Sequence, residues 1–270
     1  MDLSKVKLVV SDMDGTLLNS KGEVSKLFFE LFHQLKNKDI LFCAASGRQY
    51  NSIIDKLASI KEDIFVIAEN GGMAKKGDQL LTLNALSESK INNIIPIIRT
   101  IPNAHIVLCG KDKAFIESKN QHFIGLFQEY YHSYQIVTDV TKITNSGEFL
   151  KIAVYHSLSS EKHIYPYVKE FENEVLIKTS SKNWLDISDQ QATKGNALIK
   201  IQKLLKISRE ETLVFGDYHN DIEMLKEADF SFSMKNAHKD ITRIANYTTE
   251  SNDHFGVERV LSALVKNKTI

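Results

Sequence analysis

Cysteine is scarce in this chain: Cys43 and Cys109 are the only two among 270 residues. So little cysteine excludes a disulfide-stapled scaffold and suits a reducing compartment. Cys43 lies within the apolar run ILFCAAS, where a thiol behaves as a small hydrophobe. Long apolar runs are lacking too. No stretch approaches the ~18 uninterrupted apolar residues of a membrane helix, and the opening MDLSKVKLVV carries no extended apolar signal region with a small-residue cleavage site. The chain therefore reads as soluble and cytoplasmic. Charge of one sign is also missing, since Lys plus Arg and Asp plus Glu both number 34. No global field draws such a chain to nucleic acid or to a membrane. Gly/Ser-rich linkers, low-complexity segments and internal repeats are absent. The nine histidines show no HxH or HExxH spacing for zinc, and neither GxxxxGKS/T nor GxGxxG occurs to cradle a nucleotide.

What remains is ordinary globular material. At 43% hydrophobic and 25% charged, the chain can build one large α/β domain or two smaller ones. Residues 6–11 (VKLVVS), 40–45 (ILFCAA), 64–68 (IFVIA) and 212–216 (TLVFG) are short, apolar and rich in β-branched or aromatic residues, the pattern of buried strands. Residues 25–37 and 48–59 have helical spacing, with Leu27, Leu31 and Leu35 four apart, and 194–206 predicts an amphipathic helix. Strand and helix in alternation predict right-handed βαβ units around a parallel sheet that is apolar on both faces. Between 84 and 190 the texture changes. Helical patterns at 87–100 and 160–172 mix with strand-like runs at 105–109, 149–155 and 183–187, and the cluster EYYHSYQ appears. The expected architecture is α/β: a Rossmann-like parallel-sheet core from residues 1–83 and 191–270, with a second α/β domain inserted over 84–190.

Four local constellations carry chemistry. Asp12-Met13-Asp14-Gly15-Thr16 closes the first strand, at the end of a sheet where open α/β folds bind ligands. Carboxylates one residue apart repel strongly in a low-dielectric site, and a bound cation compensates; a plain Asp/Gly turn is the alternative. Ser46-Gly47-Arg48 follows the second strand and offers a hydroxyl and amides to an anion, or simply caps a helix. Lys194-Gly195 opens a helix, where a cation opposes the macrodipole. It either neutralises a bound phosphate or lies solvated at the surface. Gly216-Asp217-Tyr218-His219-Asn220-Asp221 follows a late strand. There Asp217 offers hard oxygen to a divalent cation, while Asn220 or Asp221 can also cap a helix over 220–227.

Taken in order, DMDGTLL, AASGR, TKGNAL and GDYHNDIEM resemble the four motifs of the haloacid dehalogenase-like hydrolase superfamily, and the resemblance covers the whole chain. Asn70-Gly71-Gly72 after the third strand and Met234-Lys235-Asn236-Ala237 after a late one add to it. The size and placement of the insertion resemble the α/β cap of the Cof-type sugar-phosphatase branch. Met13 between the aspartates and Lys235 where the family often has Gly are departures that touch no reacting group. The resemblance implies a Mg2+-dependent phosphatase acting on a small phosphorylated metabolite, in the first instance a sugar phosphate. It implies Asp12 as the nucleophile that forms an aspartyl-phosphate. Asp14 would protonate the leaving oxygen and then deprotonate the attacking water. The Mg2+ ligands would come from Asp12, Asp14 (through its backbone carbonyl), Asp217 and, directly or through water, Asp221. Ser46, Gly47 and Asn220 would hold the phosphoryl oxygens, with Lys194 balancing charge on Asp12 and the phosphate.

Two other readings stand beside it. A phosphomutase would return the phosphoryl group to substrate and would need an activating bisphosphate. A catalytically silent ligand-binding protein is disfavoured because Asp12, Asp14, Lys194 and Asp217 are all present. Within the insertion, Tyr130, Tyr131, His132 and Tyr134 read mainly as packing, as does Trp184. Arg48, outside it, is the stronger candidate for a substrate or cap contact, with a surface helix position as its equal alternative. The expected partner is the small phosphorylated metabolite, with neither nucleic acid nor membrane, and the expected state is a monomer or weak homodimer.

Overall fold

The structure, a computed structural model, describes residues 2–266. The first stretch forms β1 (Leu8–Asp12), α1 (Lys26–Lys36), β2 (Leu41–Ala45), α2 (Tyr50–Lys56), β3 (Phe65–Ala68), β4 (Met73–Lys76) and β5 (Gln79–Leu83). The middle forms α3 (Glu88–Ile98), β6 (Ala104–Gly110), β7 (Ala114–Ile116), α4 (Gln121–Phe127), β8 (Tyr134–Ile136), β9 (Phe149–His156), α5 (Ser160–His163), α6 (Tyr165–Val168), β10 (Leu176–Thr179) and β11 (Trp184–Ser188). The last stretch forms α7 (Lys194–Leu205), β12 (Thr212–Gly216), α8 (Ile222–Lys226), β13 (Phe230–Ser233), α9 (Lys239–Ile244), β14 (Tyr247–Thr248) and α10 (Gly256–Val265).

Among the described residues the strands make two sheets, ordered β14-β13-β12-β1-β2-β3-β4-β5 and β10-β11-β9-β6-β7-β8. In the first sheet every pairing from β14 to β3 is parallel, and β4 and β5 add an antiparallel edge. Its strands are apolar on both faces because helices cover both. Leu8 and Val10 of β1 pack with Leu198 and Ile201 of α7 and Met224 of α8. Val9, between them, packs on the other side with Phe28 of α1 and Leu261 of α10. Helix α1 starts where Ser25 accepts a hydrogen bond from the Phe28 amide, and it buries Phe28, Leu31, Phe32 and Leu35. Leu27, which the four-residue spacing groups with Leu31 and Leu35, is instead 40% exposed. The aromatic cluster of Phe28, Phe32 and Phe42 takes the centre of the buried face and turns Leu27 outward.

The second sheet is antiparallel except for β7 against β8. Its two faces differ in character. Ile152, Val154, Leu185 and Ile187 pack with the isoleucines of α3. Lys151, Ala153, Tyr155, Trp184 and Asp186 alternate with them and so lie on the opposite face, where Ala153 and Tyr155 meet Phe123 and Phe127 of α4. The helix expected over 160–172 is broken into α5, α6 and a 3-10 turn at Lys169–Phe171. Pro166 explains the break, since it donates no amide hydrogen and restricts the residue before it. The helix expected over 220–227 likewise begins as a 3-10 turn at His219–Asp221, with α8 only five residues long. Where the chain passes between the sheets its two crossings run together: the Asn84 side-chain amide donates to the Gly71 and Gln191 carbonyls. Among the described residues no helix is long and apolar enough to cross a membrane.

Phe28→Ala should lower unfolding free energy by about 3–5 kcal/mol, the usual cost of emptying a buried aromatic site. Leu27→Ala, one residue away on the exposed side, should stay within about 0.5 kcal/mol. Urea denaturation of the two variants checks the assignment of the faces.

Candidate active site

Parallel pairing of β1 with β12 sets Ser11 beside Phe215, so the residues that follow, Asp12 on one strand and Gly216-Asp217 on the other, emerge at the same edge. The turn after β1 leaves no room for a side chain. Gly15 has φ +77°, and a Cβ there would lie 2.4 Å from Asp217 Oδ2. Thr16 donates from Oγ1 to Asp217 Oδ1 at 2.8 Å. Carboxylate oxygens of Asp12, Asp217 and Asp221 lie within 4.8 Å of one another.

Lys194 is the counterion. Fully buried, its Nζ donates to Asp12 Oδ1 at 2.5 Å and to Asp221 Oδ1 at 2.7 Å. The surface alternative for this lysine is thereby excluded. Burial works against its charge, but Asp12 and Asp221 outweigh that and hold the ammonium above its ordinary pKa. The second oxygen of Asp221 accepts the amides of Asp217 at 2.9 Å and Tyr218 at 3.1 Å. Both oxygens of Asp221 are thus engaged, one with Lys194 and the other with the loop after β12.

Asp14 points the other way. Arg48 grips both its oxygens, at 2.7 Å from Nε and 2.6 Å from Nη2. The same guanidinium donates to the Glu129 carbonyl at 2.8 Å and lies 5.0 Å from the Tyr130 ring centroid. Asp14 therefore keeps only its backbone carbonyl free of Arg48 for a cation. Ser46 is buried, and its hydroxyl accepts the Arg48 amide at 3.1 Å. Asn220 donates to Asn70 Oδ1 at 3.0 Å, and Asn70 in turn donates to Asp186 Oδ2 at 3.1 Å.

Several of these groups carry no motif in the sequence. Lys151 donates to the Gly47 carbonyl at 3.0 Å and pairs with Glu69 at 2.9 Å and Asp186 at 3.3 Å. Burial opposes its charge, and Asp186 and Glu69 more than compensate, raising its pKa. Glu69 and Asn70 both take left-handed backbone, at φ +52° and +55°, which costs about 1–2 kcal/mol each by local sterics. Their amides meet the carbonyls of Arg48 and Ser46, each at 3.0 Å. Asn70 already stood in the Asn70-Gly71-Gly72 match, whereas for Lys151 and Asp186 the one available signal was a lone charge inside an apolar strand, Lys151 in FLKIAVY and Asp186 in WLDIS.

These residues frame a cavity of about 470 Å3 between the two sheets. Asp12, Asp14, Ser46, Gly47, Asp217 and Asn220 line one side, and Tyr130, Tyr131, Lys151, Trp184 and the Ser180-Ser181-Lys182 turn line the other. Of the tyrosine-rich cluster, Tyr130 and Tyr131 reach the cavity. His132 instead pairs with Asp55 at 2.6 Å, and Tyr134 packs edge-on against Phe127. Trp184, read from the sequence as packing, both packs on Tyr155 and faces the cavity.

The site has more acid than base. Asp12, Asp14, Asp217 and Asp221 face only Lys194 and Arg48, an excess of two negative charges. Burial, then the Asp221 carboxylate, push the Asp12 carboxyl well above its ordinary range. The same two causes push Asp217 up to about 7. Hard oxygens and surplus negative charge together fit one divalent cation held by Asp12 and Asp217.

A family profile described as haloacid dehalogenase-like hydrolase matches residues 9–261. The 5-amino-6-(5-phospho-D-ribitylamino)uracil phosphatase YbjI of Escherichia coli (strain K12) is 30% identical over 266 residues, covering 97% of each chain. The 5-amino-6-(5-phospho-D-ribitylamino)uracil phosphatase YitU of Bacillus subtilis (strain 168) is 25% identical over 275 residues, covering 96% of this chain and 97% of its own. The crystal structure of SMU.1108c from Streptococcus mutans UA159 superposes with a TM-score of 0.89 at 28% identity, covering 97% of this chain and 99% of its own.

The raised pKa of Asp217 has a sign that can be measured. Between the ordinary value of 3.8 and about 7 the folded protein holds a proton the unfolded chain has lost, so cation-free stability should fall as pH rises through that window. Mg2+ should raise Tm above about pH 7 and do so progressively less below it, as protons compete for Asp217. Asp217→Asn should reduce both effects, with Asp12, whose carboxyl pKa is raised as well, carrying the remainder. Thermal unfolding across pH, with and without Mg2+, decides it, and a Tm indifferent to Mg2+ at alkaline pH would count against the assigned cation site.

Proposed function

The chain belongs to the haloacid dehalogenase-like hydrolase family, in its Cof-type branch with a large α/β cap, and on that footing we propose that it is a Mg2+-dependent phosphatase of a small phosphorylated metabolite, working through an aspartyl-phosphate on Asp12. The observation that carries the reading is the convergence of Asp12, Asp217 and Lys194 at the carboxyl edge of the parallel sheet, beside the cavity between the two sheets.

Asp12 attacks phosphorus with a carboxylate oxygen while the bond from phosphorus to the leaving oxygen breaks. Lys194, fixed by Asp221, holds Asp12 in place and opposes the charge that gathers there. Ser46, the Gly47 amide and Asn220 receive the equatorial phosphoryl oxygens. Asp14 hands its proton to the leaving oxygen, then takes one from the water that attacks the phospho-enzyme and frees inorganic phosphate. Because Arg48 grips both Asp14 oxygens, one of those contacts must be released when Asp14 moves a proton. When bound at Asp12 and Asp217, Mg2+ supplies charge screening between two anions, the nucleophile and the phosphate.

The leaving group belongs in the cap side of the cavity. Lys151, Asp186 and Arg48 suit the hydroxyls of a sugar or polyol. A second reading extends this to a polyol phosphate that carries a planar ring, as in the substrate named for the two relatives. The aromatic wall favours it, with Tyr130 and Trp184 ring centroids 6.0 Å apart at the cavity.

Asp12→Asn should abolish phosphate release with the fold intact, and wild-type protein exposed to an activated phosphate should acquire a hydroxylamine-sensitive label that the variant lacks. Near-normal turnover in the variant would rule out the nucleophile. Ser46→Ala should lower kcat by about 10²–10³, or ~2.7–4 kcal/mol. In a panel of phosphorylated metabolites, Trp184→Ala should raise KM roughly twofold to tenfold for ring-bearing polyol phosphates, the worth of one aromatic contact, and leave simple sugar phosphates unchanged.

A further inference from the structure

Beside the catalytic pocket a second group of metal-binding side chains comes together. His219 lies in the turn after β12, and His238 and Asp240 lie at the start of α9. Asp240 Oδ2 is 3.2 Å from His219 Nε2 and 3.4 Å from His238 Nδ1. One donor atom from each of the three residues falls within 4.8 Å of the others, and the two imidazole centroids are 4.3 Å apart. The His219 contact has hydrogen-bond length. His238 Nδ1, however, caps α9 by accepting the Asp240 amide at 3.3 Å and so offers no proton to Oδ2 at 3.4 Å, which sets two acceptors against each other. A tetrahedral ion with bonds of about 2.0–2.1 Å places its donors about 3.3 Å apart, and both spacings fit that edge. The other Asp240 oxygen is taken by Arg243 at 3.3 Å, which leaves Oδ2 directed at the imidazoles. The side chains are 39%, 43% and 47% exposed for His219, His238 and Asp240, so an ion can enter and water can fill a fourth position.

We propose that His219, His238 and Asp240 form a site for a borderline divalent transition ion, with zinc as its first occupant, distinct from the all-oxygen pocket at Asp12 and Asp217. Two imidazoles and one carboxylate are a zinc donor set, whereas Mg2+ takes oxygen. The ligands come from two elements too far apart in sequence for any short zinc motif. Their placement ties the site to the catalytic loop: the His238 amide donates to the Asp217 carbonyl at 2.9 Å. A bound ion would therefore pin the turn that carries Asp217 and Asn220 to the first turn of α9.

The test titrates Zn2+ alone into the full chain, with Mg2+ in excess, while the ring-nitrogen resonances of the histidines are followed by NMR. His219 and His238 should shift together and stoichiometrically. His238→Asn, which keeps an oxygen able to cap α9, and Asp240→Asn should each weaken binding about tenfold or more. Both variants should keep their zinc-free, Mg2+-supported phosphatase activity. The site is overturned if neither ring shifts, if other exposed histidines shift equally, or if either variant binds zinc as the parent does. Each of those results leaves the Asp12 reading untouched, because activity is assayed without zinc.

Discussion

Asp12 and Asp221 can lie buried with their charge because the Lys194 ammonium sits between them. Desolvating three charges is expensive, and removing one partner of such a group typically costs about 3–5 kcal/mol. The arrangement therefore makes demands on the rest of the chain. Lys194 stands at the first position of α7, the segment that returns from the second sheet to the first. Its ion pairs with β1 and with the turn after β12 tie that return to the two strands that build the pocket. Placing a cation at a helix N-terminus opposes the macrodipole, and the two carboxylates offset that conflict.

A second set of buried charges joins the two sheets. Lys151 and Asp186, on the face of the second sheet that bears no α3, meet Glu69, Asn70 and the Gly47 carbonyl of the first. Arg48 spans the same gap from Asp14 to Tyr130 and Glu129. Ion pairs and hydrogen bonds thus join the two sheets beside the cavity, through residues next to the edge that carries Asp12 and Asp217. The left-handed backbone of Glu69 and Asn70 is the local cost of presenting both side chains to the second sheet.

These two charge networks also explain why the aromatic residues of the insertion do two jobs. Phe123, Tyr155 and Trp184 pack as one cluster over α4 and β9. Trp184 and Tyr130 are its members at the cavity, where the cluster ends and Lys151 and Asp186 begin. The wall is thus apolar behind and charged in front.

How much of this was legible in the sequence follows the range of the physics involved. Asp12, Asp14, Ser46, Lys194, Asp217 and Asn220 each stand at a strand end or helix start, where the local signal left a turn, a cap or a surface position open. Their order along the chain, which resembles a known family, singled them out. Short apolar strands alternating with helices were enough for the parallel sheet. Pro166 was equally visible, yet a single helix was expected across it where the structure has two short ones. Only the tertiary structure paired Lys151 with Glu69 and Asp186, turned Leu27 outward, split EYYHSYQ between cavity and packing, and set His219 against His238. Those outcomes depend on which sheet face meets which, and contacts between distant segments are decided by packing that no local spacing encodes.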